Sequence, residues 1–354
     1  MKLPDREEFQ RIYGALQDDV SREIYKHRLL YALFHERGEI LKIIRNWSNL
    51  KVETSPLGDV QGEVLPLEAA LEAQTQKVDL NTPKLCFYGA GEGCRTLLQY
   101  SGIRVPFVID SHRTGSLEGC PILSLEDFLK LPDCREYLVM IAVGKENAKR
   151  EIKASLNCHG SRYVEAYPDG QYFDLPELQL QNERFVDAGA FDGGTTEYFL
   201  SRFPGGYSYV FEADPRLSET LRVRLNGRSD VEVFPFGLYD TDGNCAFLSD
   251  ENMPSSSRVA ETGNREIAVR RLDALLGDRP VTFIKMDIEG SELAALRGAE
   301  RIIREQRPKL AICVYHKPED MWEIPGLILQ YHPDYKLYLR HYSLYNTETV
   351  LYAL

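Results

Sequence analysis

The run FVDAGAFDGGTTEYF, from Phe185 to Phe199, restricts the fold of this chain more than any other stretch. An apolar strand ends at Asp187-Ala188-Gly189, and a helix resumes after Gly193-Gly194. A strand, a glycine turn and a helix in succession form the nucleotide-sized cradle of a doubly wound α/β sheet. The glycines are not spaced as G-x-G-x-x-G, because Phe191 stands where the second glycine belongs. The spacing is D-x-G-x-x-x-G, through Asp187, Gly189 and Gly193. A dinucleotide site needs backbone N–H groups packed against a pyrophosphate. This turn instead puts a carboxylate, Asp187, at the strand end. A carboxylate there suits a ligand with a cationic end, such as the amino group of S-adenosylmethionine.

The chain has 354 residues, enough for two domains with their own cores. Its formal net charge is -12, which disfavours nucleic acid phosphates and anionic lipid as partners. The opening MKLPDREEFQ has no apolar core of a secretory signal. The longest apolar run, YLVMIAV from Tyr137 to Val143, is far short of the ~20 residues of a membrane span. The seven cysteines are odd in number and include no C-x-x-C pair. They read as reduced small residues in a cytosolic, hence cytoplasmic, protein rather than as a disulfide framework or a zinc site.

Residues 1–82 read as a helical N-terminal segment and a connector. Phe9, Ile12, Tyr13 and Leu16 follow helical spacing, and Ile24 to Phe34 and Ile40 to Trp47 continue it. Such stripes are core against a neighbouring domain or a second subunit, so a homo-oligomer through these helices is one expectation. Residues 51–82 carry Pro56 and Pro66 and one helical turn near LEAALEAQ. Residues 83–165 form a small Rossmann-like unit: KLCFYGAGEGCRTLLQYSG, then VPFVID ending at Asp110, a short helix capped by Ser124, and YLVMIAVG. Its turn begins as G-x-G-x-x-G, but Cys94 falls where the third glycine belongs. A nucleotide or nucleotide-sugar site with Asp110 on the ribose, and a structural unit without a ligand, both fit this turn. Residues 166–183 read as a linker.

From 184 to 354 strands and helices alternate. Strands are expected at FVDAGA, SYVFEADP, VEVFPFGLYD, TFIKMDIEG, KLAICVYH, YKLYLRHY and TVLYAL. The last two are joined by too short a link for a crossover helix, so they should pair antiparallel. A mostly parallel sheet with an antiparallel end is the class I methyltransferase pattern. The polar excursion from Asn244 to Leu272, with Ser255-Ser256-Ser257, reads as a hairpin insertion that helps form an acceptor pocket.

Ligands of such sheets sit at the carboxyl ends of the strands. Asp187, Glu212, Asp214, Asp287 and Glu289 all fall at such ends. Glu212 can accept both hydroxyls of a ribose, and Phe236 and Gly237 can line an adenine pocket. Asp287 and Glu289 lie two residues apart on one strand face, with His316 (in VYHKPED) and His341 (in LRHYS) expected across the cleft as bases or substrate contacts. A histidine with two carboxylates can also bind a divalent metal, but no spacing demands one, and none is expected.

VDAGAFDGGTTEYF, FEADP, IKMDIEGSELAALRGAE and the C-terminal YHKPEDMWEIP…YKLYLRHYSLYNTETVLYA resemble the FkbM family of S-adenosylmethionine-dependent methyltransferases, over residues 184–354. The resemblance implies O-methylation of a hydroxyl on a small molecule or sugar. It carries the cofactor role onto Asp187, Gly189, Gly193 and Glu212, and puts Asp287 and Glu289 beside cofactor and substrate. Ala190, Phe191, Asp192, Ala213 and Asp214, set between or beside these, complete the expected cofactor-binding set. FEADP departs from the commoner FEPDP at Ala213, without disturbing the glutamate. Residues 84–165 resemble the small Rossmann-like domain that precedes sugar acyltransferases and some FkbM members. The competing readings are an enzyme that binds a nicotinamide cofactor through residues 89–94, and a non-enzymatic binding or scaffold protein with the N-terminal helices as its partner surface.

Overall fold

A computed structural model describes residues 3–36, 38–40, 42–43, 52–54, 84–101, 104–144, 146–166, 170–249, 257–343 and 346–354. The helical turn expected near LEAALEAQ lies outside the described residues, as does most of Ile40 to Trp47. The chain divides into two compact units. One comprises Met1–His35, Gly170–Arg340 and Glu348–Leu354; the other comprises Glu36–Asp169 and His341–Thr347. The N-terminal helices therefore belong with the C-terminal sheet, and so do residues 170–183 of the expected linker. Among the described residues no helix is long and apolar enough to cross a membrane.

The chain opens with α1 (Arg6–Ala15) and α2 (Asp19–Phe34). Asp5 and Asp18 cap them, accepting from the backbone N–H of Glu8 and Ser21 at 2.9 and 2.7 Å.

The second unit follows, with β1 (Val52–Thr54), β2 (Lys84–Tyr88), α3 (Glu92–Thr96), β3 (Val108–Ile109), β4 (Gly115–Leu117), β5 (Cys120–Leu123), α4 (Leu125–Leu129), β6 (Tyr137–Ile141), α5 (Glu146–Cys158) and β7 (Arg162–Glu165). Its sheet runs β1-β7-β6-β2-β3-β5-β4. The apolar run at Tyr137 is its buried interior strand β6, and Ser124 caps α4 through the N–H of Asp127 at 3.0 Å. Asp110 is committed to the turn's own backbone. It accepts from the N–H groups of Ala90, His112 and Arg113 at 2.7, 2.8 and 2.8 Å.

The first unit resumes with β8 (Arg184–Ala188), α6 (Gly194–Arg202), β9 (Tyr207–Phe211), α7 (Pro215–Arg224), β10 (Val231–Phe234), β11 (Gly237–Leu238), β12 (Gly243–Leu248), β13 (Arg258–Val259), β14 (Arg265–Arg270), α8 (Leu272–Leu276), β15 (Phe283–Met286), α9 (Glu292–Arg297), α10 (Glu300–Gln306), β16 (Lys309–Cys313), α11 (Asp320–Tyr331), β17 (Leu337–His341) and β18 (Thr349–Ala353). The main sheet runs β10-β9-β8-β15-β16-β18-β17. β10 through β16 pair in parallel, and β18 enters antiparallel to β16. Lys336 and Leu354 exchange both backbone hydrogen bonds, the antiparallel closure expected of the last two strands. Order reverses between β8 and β15, which opens a crevice at their carboxyl ends.

Two elements differ from expectation. VEVFPFGLYD is not one strand: Pro235, which has no N–H for a ladder, ends β10, and the chain re-enters as β11 in a smaller β11-β14-β12-β13 sheet. The insertion thus forms a sheet of its own. SELAALRGAERIIREQ breaks into α9 and α10 at Gly298, where a Cβ would lie 1.9 Å from the carbonyl oxygen of Tyr239.

The edge strand β17 is covered by the N-terminal helices. Gln17 N–H donates to the Leu337 carbonyl at 3.0 Å, and Leu339 N–H donates to Ser21 Oγ at 2.9 Å. Asp18 also receives the Arg340 guanidinium on both carboxylate oxygens, at 3.3 and 2.7 Å. Burial opposes the charge on Asp18, but the Arg340 and Ser21 hydrogen bonds outweigh it and hold the carboxyl below its usual range. A carboxyl lowered in the folded state adds stability above its unfolded pKa and loses it as pH falls through the folded one. Asp18→Ala should therefore cost about 1–2 kcal/mol near neutrality. The gap to wild type should narrow as the pH is taken below about 3.9, the ordinary aspartate value. Denaturant unfolding on both sides of that value checks this, and a gap independent of pH would contradict it.

Candidate active site

The turn after β8 is fastened to the end of β9. Gly189 and Ala190 both donate to the Phe211 carbonyl, at 3.0 and 3.1 Å, and Phe191 N–H donates to Glu212 Oε2 at 2.9 Å. Gly189 (φ +77°) and Gly193 (φ +84°) take left-handed conformations that suit glycine. Phe191 takes one as well, at φ +50°, and is 40% exposed at the mouth of the crevice. The crevice is a cavity of about 330 Å³. Gly189, Ala190, Phe191, Asp192, Glu212, Ala213, Phe236, Gly237, Asp287 and Glu289 line it.

Asp187 does not. It is fully buried, accepts from Thr196 Oγ1 at 2.6 Å and pairs with Lys285 Nζ at 3.0 Å. Its charge is already met inside the protein, so it has none to offer a cationic ligand. Lys285 is itself buried and also donates to the carbonyls of Gly189 and Ala188, at 2.8 and 3.4 Å. Burial opposes its charge, but Asp187 and Asp287 outweigh that and raise its pKa. Asp214 is also turned away. It caps α7 through the N–H of Arg216 and pairs with that guanidinium, both at 2.9 Å. Asp192 accepts from Gly194 N–H at 3.0 Å and so holds the start of α6.

Glu212 remains on the cavity wall, 8% exposed. Each of its oxygens takes one backbone N–H, from Phe191 and from Asp214, both at 2.9 Å. Burial dominates over these bonds and raises its pKa. Beyond it Phe236, Leu238 and Phe247 give an apolar face, and Phe247, Ser257, Arg258 and Val259 bring the insertion to the pocket as expected. Ser255 and Ser256 lie outside the described residues.

The opposite wall is acidic. Asp287 Oδ2 accepts from the Tyr172 hydroxyl at 2.8 Å. The Tyr315 hydroxyl stands 3.2 Å from Asp287 Oδ1 and 3.3 Å from Glu348 Oε1, so the two carboxylates share one proton donor. Burial works against the Asp287 charge, but Lys285, His316 and the two phenols win and lower its pKa. Burial, with Asp287 close by, pushes Glu348 up to about 7. Glu289 sits at φ +53° and is also pushed up to about 7, by burial first and then by Asp287, Glu292 and Glu348. His316 lies one layer behind these residues. Its Nε2 is 3.5 Å from Asp287 and 3.6 Å from Glu289, and its Nδ1 is 3.0 Å from Glu292. Burial disfavours the imidazolium, but Glu292 foremost, then Asp287 and Glu289, push its pKa up to about 10. His316 therefore holds a proton at neutral pH where the sequence suggests a free base. His341 ends β17 fully buried and is not among the described residues lining the cavity.

Residues 187–343 match the family model described as "Methyltransferase FkbM domain". This stretch, somewhat less than half of the chain, is therefore similar to FkbM methyltransferase domains. A relative, Methyltransferase 1 of Beauveria bassiana (strain ARSEF 2860), is 27% identical to this chain over 32% of the chain and 57% of its own length. The chain thus matches little more than half of that protein. Among solved structures, Methyltransferase FkbM from Methylobacillus flagellatus KT is 22% identical, with a TM-score of 0.44 over 77% of this chain and 90% of that one. Aeropyrum pernix fibrillarin, solved with natively bound S-adenosyl-L-methionine, is 14% identical, with a TM-score of 0.32 over 51% of this chain and 70% of that one. Tyr172, Lys285, Tyr315 and Glu348 complete the cavity, and no motif in the sequence marks them. Lys285 does leave a signal, as a cation inside the apolar strand TFIKM.

Proposed function

We propose that the chain transfers a methyl group from S-adenosylmethionine to a hydroxyl of a small molecule or sugar. The observation that carries this reading is Glu212, a buried carboxylate on the cavity wall whose two oxygens each take only one backbone N–H. A carboxylate has about four acceptor sites, so two remain for the paired hydroxyls of a ribose. Phe236, Leu238 and Phe247 offer the apolar surface that a purine ring needs. The bound cofactor supplies an electrophilic methyl on a cationic sulfur. Asp287, Glu289 and Glu348 give the facing wall a negative potential that favours such a ligand, a role Asp187 cannot fill.

Methyl transfer to oxygen is an in-line displacement in which alignment supplies much of the rate. Tyr172 and Tyr315 fix Asp287. Glu289 turns Oε2 toward His316, and in this reading its Oε1 takes the proton leaving the acceptor hydroxyl.

Calorimetric titration with S-adenosylmethionine tests the cofactor reading. Wild type should bind, and Glu212→Gln should bind roughly ten- to a hundredfold more weakly, the loss of hydrogen bonds to a charged group. Folded wild type that gives no heat sinks the reading. Methyl-labelled cofactor, incubated with a panel of sugars and polyols, then tests the acceptor class; label carried only on nitrogen or sulfur would exclude O-methylation.

A further inference from the structure

We propose that Asp287, Glu289 and His316 bind a divalent cation at the acidic wall of the cavity. The inference deepens the reading of that cavity as a hydroxyl-methylating site, and rests on it. The three side chains each offer one donor atom, and these atoms lie within 4.8 Å of one another. His316 is nine-tenths buried, and its Nε2 points between the two carboxylates without making a hydrogen bond. A buried nitrogen held in this way, facing two oxygens, is a ligand set waiting for an electrophile. The other face of the ring gives a second, separate observation. Its Nδ1 stands 3.0 Å from Glu292, a fully buried carboxylate with one oxygen unsatisfied. A carboxylate behind a ligating imidazole is the usual means of fixing the ring and its tautomer at a metal.

Charge points the same way. Glu348 and Asp320 add further acids around this histidine. The neighbouring lysines are already engaged, Lys285 with Asp187 and Lys317 with the carbonyl of Gly290. Geometry asks for little movement. Adjacent ligands of an octahedral ion with bonds of about 2.1 Å lie about 3 Å apart. The present Nε2–oxygen separations are 3.5 and 3.6 Å. An inward shift of about half an ångström brings each carboxylate to the spacing that the ring nitrogen needs. One imidazole with two carboxylates suits manganese or zinc better than calcium, and leaves positions open on the cavity side. An acceptor oxygen in an open position loses its proton more readily, with Glu289 Oε1 beside it to receive that proton. The ion itself displaces the proton on His316 Nε2.

The test is titration of chelator-stripped protein with Mn²⁺, Zn²⁺ and Mg²⁺ in turn, by calorimetry and, for Mn²⁺, by electron paramagnetic resonance. One equivalent of at least one ion should bind. Glu289→Gln and His316→Asn should each weaken it about tenfold or more, while Asp230→Asn, an acid away from the cavity and paired with Arg228, should not. Should one variant fail to fold, the other decides. The inference is overturned if no ion binds at one equivalent, or if binding is unchanged in a folded variant. S-adenosylmethionine titrated into the same stripped samples separates the two readings: cofactor binding without metal binding rejects only the cation, and metal binding without cofactor binding rejects only the methyl donor.

Discussion

Lys285→Met should destabilise the first unit by about 3–5 kcal/mol, the largest of the expected stability losses. The substitution leaves Asp187 charged, fully buried and without its counter-ion. It also strips the carbonyls of Gly189 and Ala188 of the cation that gathers them. Much of the effect is the cost of an unpaired charge rather than the worth of the pair, so a second change should rescue it. Asp187→Asn in the Lys285→Met background is expected to recover a large part of the loss, because an amide tolerates burial where a carboxylate does not. Denaturant unfolding of the wild type, the single variant and the double variant makes the measurement. If the single variant stays within about 1 kcal/mol of wild type, the ion pair is not the prop described. If the double variant is no better than the single, the lost carbonyl contacts matter more than the charge.

Gly189→Ala should be nearly as severe and should also remove cofactor binding. A Cβ at this position would lie 1.9 Å from the carbonyl oxygen of Asp287, and the residue sits at φ +77°. Asp287 N–H donates to the Ala188 carbonyl at 3.1 Å, so the ends of β8 and β15 cannot part without breaking their ladder. The left-handed conformation costs an alanine about 1–2 kcal/mol, and forced overpacking adds about 1–3 kcal/mol. Gly227 provides the control. Its φ is +81°, but no atom lies within 4 Å of the Cβ it would gain. Gly227→Ala should thus show only the conformational part, and leave S-adenosylmethionine binding intact. Equal losses at the two positions would refute the steric argument.

The succession of strands and helices, the glycine turn and the acids at strand ends are legible in the sequence because each rests on local pattern. The direction of a side chain at a strand end is not. β8 is buried on both faces, so an apolar run there does not say whether Asp187 faces the cavity or the helices behind it. The answer is written in another strand, at Lys285, which lies 98 residues away in the chain. Pro235 and Gly298 do carry local warnings of a broken strand and a broken helix, and their residue types fit the breaks observed. Tyr172 and Glu348 carry none. One comes from a segment without periodicity and the other from a tight connection, and only the folded chain brings both to Asp287. The charge state of His316 is equally hidden, since it depends on Glu292, a residue whose partners no spacing reveals.

The covering of β17 by the first two helices bears on how this protein is made. Ser21 and Leu339, which share a hydrogen bond, stand 318 residues apart. The first two helices leave the ribosome well before β17, the strand they dock on, has been synthesised. They must wait through the making of both units, with Ile12, Leu16 and Ile24 uncovered, before their strand exists. Contacts of such separation form late and slowly. The completed sheet edge is protected by helices made some 318 residues before it.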